Sequence, residues 1–415
     1  MNILWITNGL FEHHLTMVGK DPSKVTGGAW LNAAYQSSIG TDGIQLHIVT
    51  VSDVSDMIES EHDGNHFYIL PRGGNSDEYD IESSANKKAW EEIRQKAQPN
   101  IVIVWGTETR FAYLAMKIIR GIPMVIFVQG VMESIYNHYY DGIPDKYKCT
   151  TIRDVVNHLN SHSMVNSLKR QVDFEREMFQ MASGVIVEND WCEDVCKSIN
   201  PSLDVYRIQI PIRDVFCSER WSIDSIHRHT IFTNAGGYPI KGHHILFQAL
   251  GIVKKQIPDV KCYVPGMPLS VFQSYRRRTG YIKLLEEIIR RDDLSDSIVY
   301  TGVLTSEQMV GYLSTCHAYV MPSVMENHSS SLIEAMLVGT PSIGSLVGGT
   351  ADYVRHKQNA ILYNSLDAKS LAGNIIRIFE DDKYAVSLSL NALKLREERA
   401  RDFGEKMLLV YRATN

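Results

Sequence analysis

Several things are scarce in this sequence, and each scarcity narrows the answer. Cysteine is the first: there are six in 415 residues. Cys149, Cys217, Cys262 and Cys316 are scattered, while Cys192 and Cys196 sit one helical turn apart. No His or Cys pair at zinc spacing accompanies them, so reduced, partly buried thiols are expected over a metal site. Basic residues are in deficit, 42 Lys+Arg against 48 Asp+Glu, for a formal charge of -6. A nucleic-acid partner wants a basic footprint, so none is expected. No apolar run approaches the roughly 20 residues that span a bilayer. The start, Met1-Asn-Ile-Leu-Trp-Ile-Thr-Asn8, lacks the basic and apolar stretches of a signal peptide. A cytoplasmic location is the expectation. No low-complexity tract appears, which argues against a long disordered linker. No Gly-x-Gly-x-x-Gly opens a helix after a first strand, and a nicotinamide dehydrogenase is set aside.

What remains is an ordinary globular balance, 44% hydrophobic and 22% charged. The length favours two or three domains. Short apolar runs rich in β-branched residues recur at Ile3–Ile6, His47–Val51, Ile101–Trp105, Met124–Val128 and Val185–Val187. They resume at Ile231–Asn234, Cys262–Val264, Ile298–Tyr300, Ala318–Met321, Ser342–Gly344 and Ile361–Tyr363. Runs without polar alternation predict strands covered on both faces, as in parallel sheets. Helix signals lie between them. Ile245, Leu246, Ala249, Ile252 and Val253 recur at helical spacing, and Thr305 with Gln308 matches a capping box. Alternating strands and helices predict doubly wound α/β sheets. The pattern lapses between 208 and 228 and begins again at His229, so a boundary, and a hinge, is placed there. Ligands in such sheets bind beyond the carboxyl ends of the strands.

The richest stretch for chemistry is Met321-Pro-Ser-Val-Met-Glu-Asn-His-Ser-Ser-Ser-Leu-Ile-Glu-Ala-Met-Leu-Val-Gly-Thr-Pro341. A strand should end near Met321, and a helix should begin near Ser329 or Ser330. The helix start offers free N–H groups and a positive dipole end, an anion site. Glu334 lies about one turn inside the helix and Glu326 in the loop before it. Were all eight steps helical, the carboxylates would be about 12 Å apart. That span suits two ends of one elongated ligand better than a close acid/base pair.

With Gly348-Gly349-Thr350 beyond it, this stretch resembles the E-x7-E region of retaining family-4 glycosyltransferases of the GT-B fold. Other similarities follow in order. Thr26-Gly27-Gly28-Ala29 resembles the Gly-rich loop after the first strand. Pro99-Asn-Ile-Val-Ile-Val-Trp-Gly106 and Gly121-Ile-Pro-Met-Val-Ile-Phe-Val-Gln-Gly130 resemble the paired central strands, and Lys241-Gly242 the start of the first helix of the second domain. The nearest resemblance is to the branch that assembles bacterial surface and capsular polysaccharides.

The resemblance implies two doubly wound Rossmann-like domains facing across a cleft. The acceptor domain would be 1–212, completed by a final helix within 396–415 that crosses back. The donor domain would be 213–395. It implies that Glu334 holds the ribose hydroxyls and Glu326 the donor sugar. Backbone N–H groups around Asn327, His328, Ser329, Ser330 and Ser331 would bind the diphosphate. His328 equally suits a solvated loop. Lys241 is the resembling cation for charge building on the leaving diphosphate. Gly27 and Gly28 suit close approach of backbone to phosphate, and Gly266 and Leu304 stand where the family packs the nucleobase. Two departures are plain. Most members carry Arg five residues before the Lys, where this chain has Gly236; Arg213 and Arg220 are the candidate replacements. Many carry His where this chain has Gln129, which cannot act as a base or a cation at neutral pH.

The expected activity is transfer of a sugar from a nucleoside-diphosphate sugar to a saccharide, or lipid-linked saccharide, acceptor. No Asp-x-Asp motif is present, so no metal and no cofactor are expected. The alternatives are a sugar-nucleotide epimerase of the same fold and a non-catalytic nucleotide-sugar-binding module. The run Tyr275-Arg276-Arg277-Arg278 could meet a lipid phosphate at the inner membrane face; a solvated charged loop fits it better.

Overall fold

The computed structural model describes residues 1–21, 29–38, 43–73, 79–148, 161–234, 236–266, 268–269, 279–398 and 402–413. Gly27, Gly28 and the run 275–278 therefore lie outside the described residues. The chain forms two compact units. The first comprises Met1–Met132, Lys169–Pro211 and Ala400–Asn415, and the second Glu133–Leu168 and Ile212–Arg399.

The first unit is built on a sheet of eight strands: β1 (Asn2–Thr7), β2 (Gln45–Ser52), β3 (Ile58–His62), β4 (Asn65–Pro71), β5 (Ile101–Trp105), β6 (Met124–Phe127), β7 (Gly184–Val187) and β8 (Asp204–Arg207). Their order is β3-β4-β2-β1-β5-β6-β7-β8, parallel throughout except that β3 runs antiparallel to β4. The central strands are apolar at consecutive positions because both faces are covered. Leu4, Ile6, Val102, Val104 and Ile126 point into one core, whereas Ile3, Trp5, Ile101, Ile103 and Phe127 point into another. The second of these cores is closed by the last helix, Phe403–Ala413, through Phe403, Met407, Val410 and Tyr411. Trp5 Nε1 donates to the Tyr411 hydroxyl at 3.2 Å. Cys192 and Cys196 are free, buried thiols on the helix Asp190–Ile199.

The second unit has six parallel strands: β9 (His227–Phe232), β10 (Lys261–Val264), β11 (Ile298–Tyr300), β12 (Cys316–Met321), β13 (Ser342–Leu346) and β14 (Ile361–Asn364). Their order is β11-β10-β9-β12-β13-β14. The helix expected from residue 243 is His243–Lys254. The capping box is formed in both directions: Gln308 N–H donates to Thr305 Oγ1 at 3.3 Å, and Thr305 N–H to Gln308 Oε1 at 2.9 Å.

One segment sits elsewhere than its place in the chain suggests. Residues 133–168 group with the second unit, not with the expected 1–212 domain. Ile143 and Tyr147 are buried in the second core. The Tyr147 hydroxyl bonds Glu287, and His244 Nε2 lies 3.0 Å from the carbonyl oxygen of Asp141. Three strands also went unread. β3 (Ile-Glu-Ser-Glu-His) has one apolar residue and lies at the sheet edge, β8 (Asp-Val-Tyr-Arg) is half polar, and β4 follows β3 in a tight hairpin.

Four imidazoles are enclosed by this packing. Burial pushes His14 down to about 3, and His47, His244 and His317 down to about 4. Below the ordinary value of 6.5 the unfolded chain binds these protons and the folded chain does not. Stability is thus full above pH 6.5 and falls as the pH drops toward the folded values. The melting temperature should decline steadily from pH 6.5 to about 5, before most carboxylates titrate. A flat melting temperature across that window would contradict the assignment of these histidines as neutral.

Candidate active site

β12 is buried along its whole length and delivers the chain to a loop, 322–329, at its carboxyl end. The helix Ser330–Val338 follows. Ser329 is its N-cap, accepting from Leu332 N–H at 3.4 Å, and Gly339 closes it in the left-handed conformation. Ser330 and Ser331 begin the helix, so their N–H groups have no carbonyl one turn back to bond. The Ser329 N–H already donates to the Tyr353 hydroxyl at 3.3 Å, and the His328 ring lies 5.0 Å from that of Tyr353. His328 thus packs on an aromatic side chain. Asn327 is buried, and its carbonyl accepts from Gly349 N–H at 3.2 Å.

The loop is held from both sides by glycines that tolerate no side chain. Gly242, with φ +72°, would place a Cβ 2.0 Å from the Pro322 carbonyl oxygen. Gly348, with φ +47°, would place one 1.8 Å from the Glu326 carbonyl oxygen. Val324 N–H donates to the Ile240 carbonyl at 2.8 Å, tying the loop to the turn that carries Lys241. The Gly348-Gly349-Thr350 sequence is therefore one wall of the loop.

Both glutamates are largely buried, and each meets its own cation. Glu326 Oε1 accepts from Lys241 Nζ and from Ser323 Oγ, the latter at 2.8 Å; the side chains of Lys241 and Glu326 are 24% and 14% exposed. Burial alone would lower the Lys241 ammonium, but the Glu326 carboxylate outweighs it and holds the value above the ordinary one. Lys241 is accordingly a permanent cation at neutral pH. Glu334 Oε1 accepts from Arg213 Nη2 at 2.9 Å. Arg213 also donates to Ser306 Oγ and lies 4.8 Å from the Phe216 ring centroid. Of the two candidate arginines, the structure brings Arg213 to the glutamate helix; Arg220 is exposed. Arg213 reaches Glu334, however, whereas Gly236 sits five residues before Lys241. A Cβ at Gly236 would lie 2.7 Å from the Tyr238 ring, so tyrosine covers the place where an Arg side chain would begin. That ring also faces Lys241 Nζ at 6.0 Å.

The remaining expected residues fall in three places. Gly266, at φ +100°, pairs with Gly302 through N–H to carbonyl bonds of 2.8 and 3.2 Å. Leu304, two residues on, is partly buried against the second core. Gln129 belongs to the first unit, where its Oε1 accepts from Asn8 Nδ2 at 2.9 Å. Arg213 with Ser306, Ser323 and Tyr238 complete the site. Ser323 and Tyr238 lie three residues from their partners Glu326 and Lys241, whereas Arg213 and Glu334 are 121 residues apart and share no local signal. Among the described residues no cluster of three or more His, Cys, Asp or Glu side chains could hold a metal ion. Among them, too, no helix is long and apolar enough to cross a membrane.

Two doubly wound parallel-sheet units, one carrying paired glutamates at a helix start, have the architecture of the GT-B fold. Residues 227–395 match the family model of glycosyl transferases group 1. The chain is similar to the 2-deoxystreptamine N-acetyl-D-glucosaminyltransferase of Niallia circulans, 32% identical over 108 residues. That match covers 26% of this chain and 28% of the relative's length. The fold is similar over nearly the full length to two solved structures. Sucrose-phosphate synthase of Thermosynechococcus elongatus aligns over 99% of this chain and 98% of its own, with a TM-score of 0.74 at 16% identity. The Anabaena protein Alr3699/HepE, solved with UDP and glucose, aligns over 100% of both chains, with a TM-score of 0.67 at 16% identity.

Proposed function

We propose that this glycosyltransferase moves a sugar, with retention of its anomeric configuration and without a metal, from a nucleoside-diphosphate sugar to a saccharide acceptor in surface-polysaccharide synthesis. The observation that carries this reading is the pair of buried carboxylates at one helix start, each bound by a separate cation. A pair with one protonated acid and one carboxylate would serve acid/base hydrolysis; two carboxylates each paired with its own cation suit the two ends of one donor. Glu334, fixed by Arg213, is assigned to the ribose hydroxyls. Glu326, fixed by Lys241 and Ser323, is left to orient the donor sugar. The helix start between them takes the diphosphate. The fold neighbour solved with UDP and glucose supports UDP as the nucleotide.

The chemistry follows from charge. As the bond from sugar C1 to the phosphate oxygen breaks, negative charge builds on the diphosphate. Lys241 and the helix start are preset to stabilise it. Lys241 stays protonated, so it is no base, and Gln129 has no titratable group. The leaving phosphate oxygen itself takes the acceptor's proton, on the face from which it departs.

The test is nucleotide binding in the presence of a chelator. At least one of UDP, GDP, dTDP and ADP should raise the melting temperature, and its sugar conjugate should be consumed. No shift with any of them sinks the reading. Arg213→Met should raise the KM of that donor roughly 10- to 100-fold, as expected for a lost charge-assisted hydrogen bond of about 1.5–3 kcal/mol. An unchanged KM would detach Arg213 from the ribose end.

A further inference from the structure

The second unit contains a cavity of about 390 Å³, near the lower end of the ~300–1,000 Å³ range of ligand pockets. It is walled by the segment 139–148, the turn Gly237–Pro239, the end of β10 and the start of the helix Gly280–Arg291. Tyrosine dominates the lining, with Tyr139, Tyr140, Tyr147, Tyr238, Tyr281 and Tyr300. Among the described lining residues there is no carboxylate and no guanidinium, and Lys241, Glu326, Glu334 and Arg213 do not line it. The cavity nevertheless shares a wall with the candidate site. Tyr238, 48% exposed, stands at its rim, and the same ring faces Lys241 Nζ at 6.0 Å.

The wall chemistry selects among occupants. A tyrosine offers an apolar face and a polar tip. A pyranose is divided the same way, with C–H bonds on its faces and hydroxyls around its edge. The Tyr300 hydroxyl is buried and has no hydrogen-bond partner among the described residues. A hydrocarbon guest would leave it unsatisfied, whereas a sugar hydroxyl would bond it. The donor reading puts the ribose end at Arg213 and Glu334, which do not line the cavity; Gly266, where the resemblance puts the nucleobase, does line it, so a loss of nucleotide affinity on changing a lining residue would place the base there and overturn the saccharide assignment.

We propose that this tyrosine cavity seats the terminal ring or rings of the saccharide acceptor and turns its reacting hydroxyl toward the Lys241–Glu326 end. The proposal rests on the donor reading given above. It assigns the acceptor contacts to the segment 139–148, which lies within the 1–212 acceptor domain that the resemblance implies but groups with the second unit. In the step, the acceptor oxygen bonds to donor C1 and the bond from C1 to phosphate oxygen breaks. The electron pair stays on that phosphate oxygen, which takes the acceptor's proton.

Saturation-transfer NMR on the full chain, saturated with whichever nucleoside diphosphate binds, tests it. The probes are the methyl pyranosides of glucose, galactose, mannose and N-acetylglucosamine and their 1,4-linked disaccharides, with dodecanol as the hydrocarbon control. At least one saccharide should show transfer into its ring protons. Tyr300→Phe, which removes only the hydroxyl, should weaken that saccharide about fivefold. Gly237→Trp should abolish the signal: a Cβ there meets nothing within 4 Å, so a ring can be added at the mouth of the cavity. Both variants should keep the nucleotide affinity. With nucleotide bound, absence of any saccharide signal, indifference to both substitutions, or binding of dodecanol alone overturns the cavity assignment and spares the donor reading. Failure of every nucleotide to bind overturns the donor reading itself, and this inference with it.

Discussion

Lys241→Met should lower turnover of the nucleotide sugar by roughly 10²- to 10³-fold, the loss typical when one preset charge is removed from a transition state. It should also destabilise the second unit, because Glu326 is then a buried carboxylate without its cation. Breaking one side of a buried pair typically costs about 3–5 kcal/mol. The two effects separate in the double variant Lys241→Met/Glu326→Met. Removing both charges leaves no orphan, so most of the stability should return, while activity should stay lost. Thermal melts and single-turnover rates on the three proteins decide the matter. If activity returned along with stability, the Lys241–Glu326 pair would be structural only.

Ending the chain at residue 398 should melt the first unit while sparing the second. The final helix buries Phe403, Met407, Val410 and Tyr411, all at or below 2% exposure. At about 1.5–3 kcal/mol each, these four side chains supply roughly 6–12 kcal/mol. That is comparable with the entire stability of a typical domain, about 5–15 kcal/mol. The contact is close as well as apolar, since a Cβ at Gly404 would lie 2.1 Å from the Ser37 carbonyl oxygen. Calorimetry should show one transition displaced downward by more than about 10 °C and a second left in place. An unchanged scan would count against this docking.

The sequence was legible where one residue's neighbours decide its fate. β1, β5, β6 and β12 read as strands because continuous burial demands continuous apolar residues. The capping box at Thr305 and the helix start at Ser330 read correctly because their partners are three residues away. Legibility failed where partners are distant or the pattern is mixed. β3 has a single apolar residue, Ile58, and lies at the sheet edge, so no apolar run marks it. The segment 133–168 carries no period that says which core will take Ile143 and Tyr147. At the site, both glutamates were legible from their motif. Which cation each would meet was not, because Lys241 and Glu326 are 85 residues apart and Arg213 and Glu334 are 121 apart.

The contact of Tyr238 with Gly236 couples the two positions. The ring occupies the space that the first side-chain atom at 236 would need. Gly236→Arg alone would therefore have to expel the tyrosine from beside Lys241 before the new cation could settle. Tyr238→Val alone would bare a glycine and gain nothing. The effect of a change at 236 therefore depends on the side chain at 238. An arginine at 236 is expected to settle beside Lys241 only with the ring at 238 turned aside or replaced by a smaller side chain.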